Sequence, residues 1–541
     1  MNSAVQFRAD FRAAVERLVP RILTQACRDP NSPAYGAFDR DWWHYRIRDF
    51  PSVILQQGAY AVWLAGRLPG WEPRQEALAQ LAAAACRFWN SRAVRRGAFE
   101  EYYPWEEGYA PLAFSTLAVM RLADAGVVPA ADLRAGAARA ARQLLARFEP
   151  EAANQQVAGL AALAWIAKVM PDLVPQAEFD ALSRRTLALQ DDEGWFEEYG
   201  GPDLAYLSVA MDRLWDLFDA TGQPAYVAAA ERALDFMAHY VPLTGASIGM
   251  QNSRNTDYIL PYGLARFMTD RPAKRALAAA LVRRLYAGIL SPSHFLHAVD
   301  DRYLCHYTGH SFVRACLLFD GAEGIDALLE SAPELAPAAE CWLPHCGHYI
   351  RGGVPADRGY SLVCSLRKGG VLTAAKGTAR VSDFGWVVES GGEQFVNHWW
   401  SRDWTFTRDR GAMSVRGFLM PHREQLSSPL KHAALRVLSF CFGHRLIPKL
   451  KSILIFKNRP SAFAFERRIE ETDAGIVVRD RISGLPGGAQ VRPAPRSSKR
   501  HVSSADSFHA EDLALRDGVQ MARTERLADG VFEAETTYTF P

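Results

Sequence analysis

The stretch Gly194-Trp195-Phe196-Glu197-Glu198-Tyr199, followed by Asp203 and Tyr206, nearly repeats an earlier one, Gly97-Ala98-Phe99-Glu100-Glu101-Tyr102, followed by Tyr109. Phe99 and Phe196, Glu101 and Glu198, Tyr102 and Tyr199, and Tyr109 and Tyr206 are each 97 residues apart. The helices predicted next keep that register, Ala113 with Ala210 and Leu117 with Leu214. A fixed period marks a repeat architecture, in which each unit buries its apolar face against its neighbours. Two helices and their loops take about 45–50 residues, so this repeat is two helical hairpins.

Helical periodicity supports that reading. Apolar residues recur every three to four positions over 74–90, 111–124, 130–147, 155–168, 177–189, 204–220, 224–239, 272–289 and 308–320. Met1 to Leu23 reads as a further amphipathic helix. Stacked hairpins either extend as a solenoid or close into an α/α toroid. Closure is expected, because the repeated acidic and aromatic motifs fall at equivalent loop-to-helix junctions. In a toroid those junctions surround one cavity.

Near Tyr360 the period changes. Tyr360-Ser-Leu-Val-Cys-Ser-Leu, Trp386-Val-Val-Glu, Ala462-Phe-Ala-Phe-Glu-Arg-Arg-Ile and Ile476-Val-Val-Arg-Asp-Arg-Ile are short, alternating and punctuated by Gly-Gly turns. A run of helices followed by a run of strands implies two domains. The expectation is an N-terminal α/α toroid over 1–350 and an antiparallel β-sandwich over 351–541. Within the second, 425–465 has no Asp or Glu while Lys431, Arg436, Arg445, Lys449, Lys451, Lys457 and Arg459 punctuate apolar residues. This predicts a basic helical insert at about 426–456. Such a hairpin can lie on an anionic membrane or bind a polyanion, or it can pack on the sandwich with its lysines solvated.

At 541 residues the chain is too long for one core. A net charge of +2 gives no reason to expect nucleic acid. The first residues lack a secretory h-region, and the eight cysteines have no framework spacing, so reduced thiols in a cytoplasmic protein are expected. No cofactor is called for: the Walker, Rossmann and Gly-x-Ser-x-Gly patterns are missing from the sequence. His306 and His310, at i and i+4, lack the Glu of a zinc helix. Cys341, His345, Cys346 and His348 lack a matching second pair, so no metal is expected there either.

The candidate chemistry lies in four polar segments. Glu101 and Glu198, with Trp105, Trp195 and Tyr199 beside them, could grip a sugar from two sides. Two such carboxylates could hydrolyse a glycosidic bond, although an acid at a helix start, such as Asp203, also serves as a cap. Asn154 and Gln155 open a helix with amides that bind a carboxylate or cap the helix. Gln251 to Tyr258 is dense in polar residues, as a cavity lining or a solvated surface loop would be; Arg254 suits a carboxylate, Tyr258 a proton transfer, and Asn255 is a candidate substrate contact. His306 is a candidate base or substrate contact, and His310 a substrate contact, against the alternative that both are structural.

With these motifs in place, the layout resembles the heparinase II/III-like group of polysaccharide lyases. The resemblance implies that Asn154 matches the Asn that binds the uronate carboxylate. It also implies that Tyr206, after Glu193-Gly194-Trp195 and Asp203, matches the catalytic Tyr. Phe465-Glu-Arg-Arg-Ile and the Ile476 run are similar to strands of the family's β domain. The family commonly has His directly after that Asn and after that Tyr; here the residues are Gln155 and Leu207. The resemblance implies β-elimination on an acidic polysaccharide or its precursor, in polysaccharide production or tailoring. An α/α-toroid glycoside hydrolase and a non-catalytic glycan-binding assembly protein are the alternatives. Peripheral contact with the inner face of a membrane, through 426–456, is a further expectation.

Overall fold

A computed structural model of the chain describes residues 3–96, 98–240, 249–256, 258–335, 340–352, 359–409, 411–422, 427–452, 459–472, 475–495 and 516–541. Gly97 of the repeat, Asp257 of the polar segment, and 426 and 453–457 of the insert lie outside the described residues.

Alanine and leucine dominate the helical part; neither is branched at Cβ, and the small alanines let helices pack closely on all sides. Six helices form an inner ring: Gly58–Ala65, Tyr109–Asp124, Ala153–Val169, Leu204–Thr221, Tyr262–Asp270 and Gly309–Gly321. Each packs on the next, and the last returns to the first, so the ring closes into an α/α toroid. The helices Gln75–Ala93, Ala130–Ala146, Gln176–Leu187, Pro224–Ala238 and Arg275–Leu285 lie outside it, and Ala4–Gln25 packs across the seam. The Ala153–Val169 helix shows the cost of an inner position: thirteen of its seventeen residues are buried. An apolar stripe cannot betray its orientation in such a helix, because every face is apolar.

Polar side chains tie the ring across its axis. Asp216 accepts from Arg314 at 2.7 Å, pairs with Arg213 at 3.2 Å, and also bonds Arg121. These groups come from three different inner helices.

The last helix of the toroid ends at Glu330 and strands begin at Cys341, so the expected division at 350 falls within the strand His348–Arg351. All sheets are antiparallel. The first runs Cys341–Leu343, His348–Arg351, Ser361–Ser365, Val371–Lys376, Ala379–Asp383, Arg516–Asp517. The second runs Met420–His422, Glu393–Val396, Trp386–Ser390, Gln490–Pro493. The third runs Gln520–Ala528, Val531–Thr539, Gly475–Ser483, Ala464–Thr472, Ala412–Phe418, Thr405–Asp409. Alternation places Phe465, Ile469, Val478 and Ile482 on the buried face of the third sheet, in one core with Leu362, Leu372 and Trp386. The Cys341 to His348 motif becomes a hairpin: His348 Nδ1 meets the Tyr240 hydroxyl at 2.6 Å, and Cys341 Sγ lies 3.6 Å from His239. Among the described residues no group of three or more His, Cys, Asp or Glu could hold a metal.

The described residues of the insert pack on the toroid. Ser439 donates to the Pro104 carbonyl at 2.9 Å, Arg436 pairs with Asp49 at 2.6 Å, and Lys451 pairs with Glu149 at 2.5 Å. Its cations find these carboxylates only in the folded chain, which is why the sequence alone left its position open.

Candidate functional site

The site is assembled at the helix starts that the repeat marks. Asp203 caps the Leu204–Thr221 helix, accepting from the Tyr206 N–H at 3.1 Å, so Tyr206 stands in the first helical turn. The loop before it bridges to the start of the Ala153–Val169 helix: Ala153 N–H donates to the Glu197 carbonyl at 3.0 Å. That bridge seats Asn154 on Glu198, with its backbone N–H and its Nδ2 each 2.7 Å from a carboxylate oxygen. Ser253 donates to the Glu198 carbonyl at 2.7 Å and locks the Arg254 segment onto the same loop. From the β side, Trp400 lies so close to Gly201 that a Cβ there would overlap the indole ring. Lys368 reaches across as well, donating to the Asn252 carbonyl at 2.7 Å and to Asn255.

These elements enclose a cavity of about 520 Å³. Asn154, Gln155, Tyr199, Tyr206, Arg254, His306 and Glu101 of the sequence candidates line it. Tyr102, Tyr103, Glu106, Tyr109, Tyr307, Glu149 and Lys451 add to the polar wall. Ile54, Phe114, Leu435, Ile447 and Leu450 supply apolar surface, the last three from the insert.

Arg254 is the principal cation of the wall. Burial works against its charge, but Tyr206, Tyr199, Asp203 and Glu198 around it more than compensate and hold it protonated. Its guanidinium lies 4.2 Å from the Tyr199 ring, and Lys451 lies 5.3 Å from the same ring. Gln155 donates to the Tyr199 hydroxyl at 3.3 Å. Asn154 uses one amide hydrogen on Glu198, and an amide carries two.

The acids across the cavity behave differently. Glu106 accepts from the N–H groups of Glu101 and Tyr102 at 2.9 and 2.8 Å. Burial and the neighbouring Glu106 charge push the Glu101 carboxyl up to about 8, and burial also raises Glu106. Tyr102 is 66% accessible although protein walls surround it, because it faces the cavity.

Glu101 therefore makes stability depend on pH. Its folded value lies above the ordinary 4.5, so its contribution is complete below 4.5 and is lost as pH rises toward 8. Glu101→Gln mimics the protonated form, and its melting temperature relative to the native chain is expected to climb from pH 5 to pH 8. A difference that stays flat over that range would contradict the assignment.

Six of the sequence candidates occupy other places. Glu198 does not line the cavity: it is buried beneath Asn154, where burial pushes its carboxyl well up, so it does not face Glu101 across a ligand. Tyr258 sits behind the wall, its hydroxyl 2.8 Å from Tyr307 and 3.0 Å from Tyr303. Trp105 packs edge-on against Phe440 at 5.3 Å and supports the insert. Trp195 is buried, donates to Glu193 at 3.0 Å, and borders a separate shallow groove with Gln190 and Arg402. Asn255 is held by Lys368.

The two histidines do not share a helical face. Leu304–Thr308 is a wide turn with five-residue hydrogen bonding, and His306, at φ −80° and ψ −163°, is not helical. His306 stacks on Tyr303 at 4.6 Å and borders the cavity; burial and Arg302 drive it down to about 3, leaving a neutral and weakly basic ring. His310 belongs to the ring axis instead, against Tyr60 at 5.4 Å and near Arg213 and Arg314.

No family model matches the chain, and no curated protein matches it. Among solved structures it is similar to the chondroitin AC lyase of Streptomyces coelicolor A3, solved in complex with chondroitin sulphate, at 11% identity and a TM-score of 0.49. That match covers 99% of this chain and 80% of the other. It is also similar to the heparan sulfate lyase HepC of Pedobacter heparinus, at 9% identity and a TM-score of 0.37, over 99% and 88% of the two chains. Superpositions this loose carry no argument about chemistry.

Proposed function

We propose that the cavity binds an acidic saccharide and cleaves it by β-elimination next to a uronic acid. One observation carries the reading: a tyrosine at a helix start, Tyr206, lines the same cavity as a buried and charged Arg254 and the amide of Asn154. Removing the proton alpha to a carboxylate requires that the carboxylate's charge be neutralised as the enediolate develops. Arg254 suits that task with two parallel donors, and Asn154 adds a third. Tyr206 enters the step as its phenolate, beside the Arg254 cation; its oxygen takes the proton at C5, the electrons form the C4–C5 double bond, and the C4–oxygen bond breaks. A proton returned from Tyr206 then neutralises the leaving oxygen. His306 is too weak a base to hold that proton and serves as a neutral contact.

Hydrolysis is the second reading, favoured by one feature: Glu101 remains a protonated acid near neutral pH. It lacks the partner expected for it, because Glu198 is buried away from the cavity. We place the reaction in polysaccharide production or tailoring, in a cytoplasmic protein peripheral to the inner face of a membrane. Among the described residues no helix is long and apolar enough to cross one.

Reaction in oxygen-18 water separates the two chemistries. Chondroitin and heparan sulfates, named for the structural neighbours, are the first polyanions to try. Elimination yields fragments without the label, whereas hydrolysis adds one labelled oxygen per cleavage. Binding with no cleavage in either form would favour an assembly protein.

A further inference from the structure

The insert's Pro429–Phe442 helix is unusual in how little of itself it buries. Of its fourteen residues Ser439 alone is buried, whereas Leu430 is 81%, Val437 65% and Leu438 42% exposed. Residues spaced 0, 4, 7, 8 and 11 lie along one side of a helix, and Leu430, Ala434, Val437, Leu438 and Cys441 have that spacing. The opposite side is fixed to the toroid through Ser439, and Arg436 holds Asp49. Solvent-facing apolar stripes of this kind mark an interaction site.

The insert's own charge is of one sign, and the toroid acids beside it, Asp49, Glu107 and Glu149, pair with its Arg436, His444 and Lys451. Lys431, Arg445 and Lys449 are exposed, and 425–465 contains no acid. At 1.5 Å per residue the helix is about 21 Å long, too short to span a bilayer but suited to lie in its interface. A soluble polyanion would satisfy the cations but leave Leu430, Val437 and Leu438 in water.

We infer that this helix docks the protein on an anionic bilayer, with Leu430, Val437 and Leu438 among the acyl chains and Lys431, Arg445 and Lys449 at the headgroup phosphates. The inner side of the same insert walls the cavity with Leu435, Ile447 and Leu450. The docked protein therefore holds its cavity at the membrane surface, and a saccharide anchored to that membrane is the substrate class that fits. This rests on the saccharide site and peripheral placement proposed above, and it names the surface and the side chains.

Flotation of the full chain with phosphatidylcholine vesicles, with and without phosphatidylglycerol, tests it. Binding is expected to be at least about tenfold stronger with phosphatidylglycerol, since each basic group near an anionic surface adds to affinity. The double variant Val437→Glu/Leu438→Glu should lose that binding at least tenfold with an unchanged melting temperature. Tyr206→Phe should float like the native chain, which separates docking from catalysis. Three results would overturn the inference: no flotation on either vesicle, flotation insensitive to the glutamates, or a dimer in solution that the glutamates dissolve.

Discussion

Tyr206→Phe is expected to reduce turnover on an acidic polysaccharide about 100- to 10,000-fold while KM changes less than about threefold. The hydroxyl is the only group removed, and it is the group assigned to carry the proton. The ring remains, so the apolar contacts that place Tyr206 among its buried neighbours are kept. The N–H that Asp203 caps is also unchanged, so the helix start should hold. Arg254 stays in place to bind the substrate carboxylate, which is why affinity should survive. A tenfold rise in KM with turnover intact would make Tyr206 a binding group and move the proton transfer elsewhere in the cavity.

Asp216→Asn is expected to cost about 3–5 kcal/mol, because it leaves three guanidinium groups crowded in the ring without their shared anion. Arg213 and Arg314 are almost wholly buried, and Arg121 is mostly so. Burial alone would raise the Asp216 carboxyl, but Arg314, Arg213 and Arg121 outweigh it and hold it well below the ordinary 3.8. The stabilisation is therefore complete above 3.8 and is lost as pH falls below it. Thermal unfolding of the toroid at neutral pH should show a drop on the order of 4–7 °C. A loss under about 1 kcal/mol would mean that the ring is not held together at this carboxylate.

The fold was legible because two periodicities do not overlap. The 97-residue repeat and the 3.6-residue spacing delimit the helical hairpins, and the alternation of Ala462 to Ile469 and of Ile476 to Ile482 delimits strands of the third sheet. Gly58–Ala65, an inner helix, was missed because eight apolar residues in a row show no stripe. Ring closure rests on contacts between residues about 250 apart, and its signal was the recurrence of acidic and aromatic motifs at equivalent loop-to-helix junctions.

The site was partly legible for a related reason. Asn154, Tyr206 and Arg254 lie in polar segments at helix starts, where side chains of an inner ring must face the cavity or cap the helix. Repeat symmetry misled at Glu198: Glu101 and Glu198 match in sequence, yet Asn154 covers only the second. Trp105 and Trp195 look like sugar platforms beside acids, but an indole next to a carboxylate also forms where the ring packs inward, as the Trp195 bond to Glu193 shows. Glu106 had its signal in Tyr-Pro-Trp-Glu-Glu, and Tyr307 in a run otherwise read for its histidines. The insert's share of the cavity had none.

Ultraviolet absorbance of the 4,5-unsaturated uronate tests the central claim most directly, with the native chain and Tyr206→Phe each incubated with acidic polysaccharides. A steady rise with the native chain that disappears in Tyr206→Phe is the expected result. Accumulation of reducing ends with no rise in absorbance would contradict elimination and leave Glu101 as the group to pursue.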